Sequence, residues 1–400
     1  MTYAPPSTDA AEGPLSGIRV IDLTQARAGP TCVRQLADLG ADVIAVQRRE
    51  GGGPFSSLGA DGANLHRNKR SIALDLATDA GRAVFFRLVE RADVVVENFR
   101  PDVKARLGVD PDAVWAVNPR VVYASISGFG QDGPYAARPG VDQIAQGLGG
   151  LMSVTGPPGS GPWRVGIAIS DTAAGTLLTQ GVLAALLARD RTGRGQWVHT
   201  SLLEAMVSFM DFQAARWLID AEVPGQEGNQ HPTMVPMGAY PTADGHLNVS
   251  ALRDFGRFCE LLGAPELADD PRYVDFAARH AHRTELDADL ARILQTRPTA
   301  EWVERLAEHV PCGPVLAVDE VFADPQVQHL QLTRRVEHPT RGEVDVLRPP
   351  LTFSDTPATV RRGVPADGEH TRAVLAELGY REHEIDDLHR SGAVGRQTTT

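Results

Sequence analysis

The chain has 400 residues, 42% hydrophobic and 22% charged, a length that exceeds one ordinary core and makes two domains the default. Its formal net charge of −12 argues against a general nucleic-acid or anionic-membrane binder, although a local basic cluster can still hold a small anion. Three scattered cysteines, Cys32, Cys259 and Cys312, suggest neither a disulfide framework nor a zinc site. The polar stretch Met1 to Pro14 lacks the apolar run of a signal peptide, and no segment is long and unbroken enough for a membrane span. A cytoplasmic enzyme is the expectation.

In chain order, Ile18 to Leu23 reads as a short buried strand, and Gly29-Pro30 opens a helix that Gly40 stops. Val43 to Val46 is a second strand and Ile72 to Leu76 a third. A helix over Asp79 to Arg91 follows, with apolar Val84, Phe85, Leu88 and Val89 on one side. Val94 to Phe99 is a fourth strand and Val121 to Ile126 a fifth. Strands interleaved with helices imply a doubly wound α/β domain with a parallel sheet covered on both faces. Ligands of such sheets collect beyond the carboxyl ends of the strands, where Asn98, Phe99 and Ser127 fall. From Met206 the character changes. A helical stretch gives way to a Gly, Pro and Asn-rich loop (Val223 to Pro232), a hairpin around Asp244-Gly245, and helices up to Pro311. The domain expectation is therefore a large domain over 1–205, a linker and small α+β domain over 206–330, and a returning segment over 331–400. Short amphipathic helices are expected at Thr371 to Leu378 and Glu382 to His389, before a disordered tail of about eight residues.

Gly128-Phe129-Gly130-Gln131-Asp132-Gly133 spells the dinucleotide fingerprint, but Pro134-Tyr135 and Arg138-Pro139-Gly140 follow where a helix must open. It reads as a loop near the site rather than an NAD cradle. The basic run His66 to Arg70, with Arg48-Arg49 upstream, reads either as a solvated face or as a phosphate site. The twelve histidines show no metal-ligand spacing, and there is no GxSxG elbow.

Asp171 is the most informative residue. An apolar, strand-like run (Arg164 to Ser170) delivers one acid, and small residues then open a long apolar helix. A helix N-terminus favours a negative charge, and the small neighbours leave room for a bulky ligand to reach it. The competing reading makes Asp171 a plain helix cap.

Taken together, these stretches resemble the family III (CaiB/BaiF-type) CoA-transferases. The likeness rests on Leu15 to Thr24, Ala28-Gly29-Pro30, Asp38 to Ile44, Asn68 to Ile72 and Ala92 to Pro101. It continues through Asn118-Pro119-Arg120, Arg138-Pro139-Gly140, Asp171, Thr192 to Gln196, Pro311 to Val315 and Gly368 to Thr371. It covers almost the whole chain in order. The resemblance implies a Rossmann-like large domain, a smaller domain, and a homodimer whose subunits thread through each other. It places the catalytic carboxylate at Asp171 and CoA contacts at Arg27, Ala28, Arg48, Leu74, Asn98, Phe99 and Arg106. Acyl-CoA and a small carboxylic acid are the implied substrates, with no metal and no bound organic cofactor. The implied chemistry is nucleophilic catalysis, in which an acyl-aspartyl anhydride and then an aspartyl-CoA thioester form on Asp171. Gly140, Val141 and His231 are candidates to line the substrate pocket, and His231 reads equally as a surface residue. Arg164 and Arg138 suit a second acceptor carboxylate and hint at dicarboxylic acids. The rival on the same fold is an α-methylacyl-CoA racemase, which needs a histidine where this chain has Val141. Valine cannot relay protons, so the transferase is favoured. A catalytically inert CoA-binding protein survives only if Asp171 is buried and inaccessible.

Overall fold

The computed structural model describes residues 13–48 and 59–395. Six strands, β1 (Arg19–Asp22), β2 (Asp42–Gln47), β3 (Lys69–Ala73), β4 (Val94–Glu97), β5 (Val122–Ser127) and β6 (Trp197–Ser201), form one parallel sheet in the order β3-β2-β1-β4-β5-β6. The order reverses between β1 and β4, so their carboxyl ends open a crevice. Every residue of β4 is buried, as a central strand covered on both faces must be. One face carries the helices Ala28–Asp38, Ile169–Thr192 and Leu202–Phe209. The other carries Asp79–Val89, Pro111–Val117 and two helices near the C-terminus, Thr371–Glu377 and Glu382–Ser391. Local chemistry sets several starts. Thr78 Oγ1 accepts from Gly81 N–H at 3.0 Å, and Asp110 accepts from Ala113 N–H at 3.2 Å with Pro111 behind it.

The third strand begins at Lys69 rather than Ile72, and Leu74 continues it only as a single bridge to Val394. β6 was not expected from the sequence: exposed residues alternate along it, so it lacks the apolar run of its neighbours. The run before Asp171 is not a strand. Gly166 interrupts it, the helix has already begun at Ile169, and Val165 N–H donates to the Gln146 side chain at 3.0 Å instead of to a ladder.

The chain divides into two compact units, 1–151 with 164–221 and 331–400, and 152–163 with 222–330. The boundary thus falls after Ala221, not at Met206, because the Leu202–Phe209 helix packs into the core of the first unit. Residues 152–163 go with the second unit, where Gln226 Nε2 donates to Thr155 O at 2.5 Å and Gly228 N–H to Gly156 O at 2.9 Å. That unit has a three-stranded antiparallel sheet, Met237–Pro241, His246–Ser250 and Cys312–Pro314. Its core includes Tyr240, Leu247, Phe258 and Trp302.

In the first unit, the returning segment adds an antiparallel hairpin, Thr333–His338 with Gly342–Leu347, that the sequence reading missed. It then laces onto β3, the sheet edge. Gly368 N–H donates to Ser71 Oγ and His370 N–H to Ser71 O, both at 2.9 Å. Asp75 N–H donates to Ala393 O at 2.9 Å, and Gly395 N–H to Ala73 O at 3.0 Å. The first part of the expected disordered tail is ordered: Ala393 to Gly395 are fixed, and 396–400 lie outside the described residues.

Candidate active site

Asp171 is the third residue of the helix Ile169–Thr192 and does not cap it. Ala168 holds the cap position without a side-chain bond, and Thr172 Oγ1 donates back to Ala168 O at 3.0 Å. The small residues behind Asp171 serve packing rather than ligand access. Ala173, Ala174 and Gly175 are buried, and a Cβ on Gly175 would stand 2.6 Å from Ala28 O and 2.8 Å from Thr31 Cβ. They let the two helices cross closely, which fixes Asp171 against the residues that follow β1.

Asp171 opens into a cleft of about 490 Å³ lined also by Arg27, Ala28, Asn98, Ser127, Gly140, Val141, Asp142 and Arg164. This is the crevice beyond the carboxyl ends of β1, β4 and β5. Among the described residues the Asp171 carboxylate has no hydrogen-bond partner. Burial, reinforced by the charge of Asp142 and opposed by that of Arg27, pushes its carboxyl up to about 6. A carboxylate partly withdrawn from water and without protein donors is a stronger nucleophile than a fully solvated one. The inert-binder reading required Asp171 to be inaccessible; it faces the cleft instead.

Asp142 is the residue sequence reasoning left without a role. It is buried at the start of the helix Asp142–Leu148 and accepts four hydrogen bonds. Ser170 N–H and Ser170 Oγ reach one oxygen, each at 3.0 Å, while Gln146 Nε2 at 2.8 Å and Arg164 Nη2 at 3.1 Å reach the other. It therefore ties two helix starts and one arginine to the residue before Asp171. The only sequence signal was an acid opening an apolar helix.

The loop after β5 is shaped by two glycines. A Cβ on Gly128 would lie 2.7 Å from Gly140 Cα, and one on Gly140 would lie 2.5 Å from Gly128 Cα. The fingerprint-like run makes turns, and no helix begins before Asp142. Asn98 holds the opposite wall: its Nδ2 donates to Gln25 O at 2.7 Å and its Oδ1 accepts from Gln25 N–H at 2.9 Å. Arg27 Nη2 pairs with Asp61 at 2.5 Å.

Arg27, Ala28, Asn98, Gly140 and Val141 thus share the cleft with Asp171. Arg48 and Arg106 are exposed and do not line it. Phe99 is half-buried against the neighbouring core. Leu74, at 2% exposure, is enclosed in that core under the C-terminal helices and offers no surface to adenine in this conformation. His231 belongs to the second unit and lines a cavity there with Gln230, Met237 and Cys312. Its Nδ1 accepts from Thr233 N–H at 3.2 Å and Met234 N–H at 3.1 Å.

The basic run fits neither of its two readings. Arg67 is buried against Asp38 at 2.6 Å, Lys69 against Asp22 at 2.9 Å, and Arg70 pairs with Asp42 and Glu377. Burial and the Lys69 charge hold the His66 imidazole down at about 3, neutral at physiological pH. These cations are spent inside the fold. Arg49 lies outside the described residues.

Comparison with known proteins gives this geometry its chemistry. The family model described as CoA-transferase family III matches residues 15–371. The chain is 41% identical to a succinate–glutarate CoA-transferase of Agrobacterium fabrum, over 91% of this chain and 96% of the relative. It is 36% identical to a succinyl-CoA:mesaconate CoA-transferase of Haloarcula hispanica, over 92% and 97%. A crystal structure of a CAIB/BAIF family protein from Brucella suis superposes with a TM-score of 0.82 at 36% identity, covering 92% of this chain and all of that one. The isomerase alternative loses twice: the relatives named here are CoA-transferases, and Val141, 61% exposed, stands in the cleft where that chemistry needs a histidine. The chain belongs to CoA-transferase family III and is an acyl-CoA:carboxylate CoA-transferase.

Proposed function

We propose that Asp171 carries first the acyl group and then CoA, and that the acids exchanged are short dicarboxylates. The observation that carries this reading is a desolvated carboxylate without hydrogen-bond partners among the described residues, set in the crevice of the parallel sheet. A carboxylate oxygen of Asp171 attacks the donor thioester carbonyl, the C–S bond breaks, and CoA leaves as thiolate. The thiolate then attacks the Asp171 carbonyl of the anhydride and expels the donor carboxylate, leaving an aspartyl-CoA thioester. The acceptor carboxylate displaces the thiolate to make a second anhydride. The thiolate finally attacks the acceptor carbonyl, releasing the new acyl-CoA and free Asp171. No net proton moves, so Asp171 must only be ionised. Backbone N–H groups around Gly140 or Gly166 are the oxyanion donors by this reading.

Relatives named for succinate, glutarate and mesaconate support dicarboxylic acids of four and five carbons on both sides of the exchange. Arg27, Ala28 and Asn98 are the contacts to CoA nearest the reacting end, and exposed Arg48 and Arg106 suit its phosphates. Phe99 is the remaining adenine contact. His231 serves this reading only if the second unit brings it to an acid. A homodimer fits the apolar surface on the helices Leu202–Phe209 and Asp211–Asp220, where Leu218 is 79% exposed beside Trp217 and Ile219. Sedimentation at a monomer's rate would refute that part.

The test mixes succinyl-CoA with a panel of carboxylic acids and reads new CoA esters by mass spectrometry. Wild type should make glutaryl-CoA, and Asp171→Ala should bind CoA but make none. An active Asp171→Ala protein removes the mechanism. Run in heavy water with a branched acyl-CoA, deuterium at the α-carbon without acyl exchange would restore the isomerase.

A further inference from the structure

We propose that Arg164 reads the second carboxylate of the acid, and reads it for donor and acceptor alike; this rests on Asp171 being the acyl-carrying residue. The cleft has two cations on its walls, Arg27 and Arg164, against three acids, Asp61, Asp142 and Asp171. A dianionic acid entering there meets net negative charge unless a cation receives its far end. Arg27 is held by Asp61, and its charge already acts on Asp171, so it serves the reacting end. Arg164 is placed differently. Its side chain is 38% exposed and gives Nη2 to Asp142, while among the described residues its Nε and Nη1 have no acceptor. One Nη2 hydrogen is thus anchored by Asp142, and the second Nη2 hydrogen, with the open Nε or Nη1 beside it, forms the fork that takes a carboxylate with two parallel hydrogen bonds.

Asp142 also makes the receptor a ruler. The same carboxylate that holds Arg164 accepts from the backbone and side chain of Ser170, one residue before Asp171. The spacing between the nucleophile and the guanidinium is set through a single buried side chain, itself locked by Gln146 at 2.8 Å. An acid whose two ends match that spacing is selected by length as well as charge. The donor and acceptor acyl groups are each joined in turn to the same Asp171 carboxyl, so both tails extend into the same volume. One arginine therefore serves both halves of the exchange.

The experiment measures two ratios of kcat/KM, glutarate over valerate as acceptor and succinyl-CoA over butyryl-CoA as donor, in wild type, Arg164→Gln and Arg164→Lys. Each ratio is taken within one protein, so an unfolded fraction cancels. Both ratios should fall by about 100-fold in Arg164→Gln, the scale of a lost charged recognition contact, and recover in part in Arg164→Lys. Wild-type ratios in Arg164→Gln, or a loss confined to one pair, overturn the proposal. Asp171→Ala separates the two ideas. If it turns over, the reading of Asp171 fails; if it is dead while the Arg164→Gln ratios stand unmoved, only the receptor fails.

Discussion

Replacing Asp171 by Asn should make the protein inactive and, at neutral pH, more stable. The native carboxyl is pushed from its ordinary 3.8 to about 6, chiefly by burial. At about 1.36 kcal/mol per pH decade, keeping it ionised in the folded state costs up to about 3 kcal/mol. Partial contact with solvent through the cleft reduces this to about 2 kcal/mol. The sign follows from proton linkage. With its folded value raised, the native state holds more protons than the unfolded chain between 3.8 and about 6. The group's favourable contribution is therefore full below 3.8 and is lost as pH rises through about 6. Asn carries no such loss. Urea midpoints of the two proteins at a series of pH values from 4.5 to 8 should diverge as pH rises to about 6 and run parallel above it. A gap independent of pH, or an Asn variant less stable at pH 8, would refute the electrostatic account. The same ionisation should govern turnover, so wild-type kcat/KM should climb with pH and level off above about 6.

Gly140→Ala places a Cβ 2.5 Å from Gly128 Cα, so the two loop backbones must part. We expect at least about a tenfold loss of kcat/KM and a stability cost of about 1–3 kcal/mol, read by kinetics and urea unfolding; unchanged kinetics would show the cleft wall to be more yielding than its packing implies. Lys69→Met leaves buried Asp22 without the amine now 2.9 Å away. Unfolding free energy should drop by about 3–5 kcal/mol and recover in part when Asp22→Asn is added, whereas additive losses would mean that the two charges do not depend on each other.

The strands β1, β2, β4 and β5 were legible because each is a short apolar run that only a two-sided burial explains, and Gly29-Pro30 marks its helix start plainly. β6 was not, since a strand at the sheet edge needs apolar residues on one face at most. Asp171 was singled out for a reason that the structure replaces. The small residues after it accommodate another helix, and its isolation from donors could not be read from neighbours in sequence. The basic run misled because each partner is distant along the chain: Asp38 lies 29 residues from Arg67, and Asp22 lies 47 from Lys69. Asp142 was invisible as a hub for the same reason, with Ser170 28 residues away.

The lacing of the C-terminal segment onto β3 bears on how the protein is made. Ala73 N–H donates to Thr371 Oγ1 across 298 residues, so the outer edge of β3 has no cover until nearly all of the chain exists. At roughly 5–20 residues per second, a ribosome leaves that edge open for tens of seconds. During that interval the nascent large unit presents a row of unpaired backbone groups beside an incomplete core, a template for pairing with other chains. The second unit, all of it inserted between the pieces of the first, is synthesised in the meantime and has its own core to fold around. The large unit is thus begun first and finished last, and its demand on holding chaperones is greatest while its smaller companion is already folding.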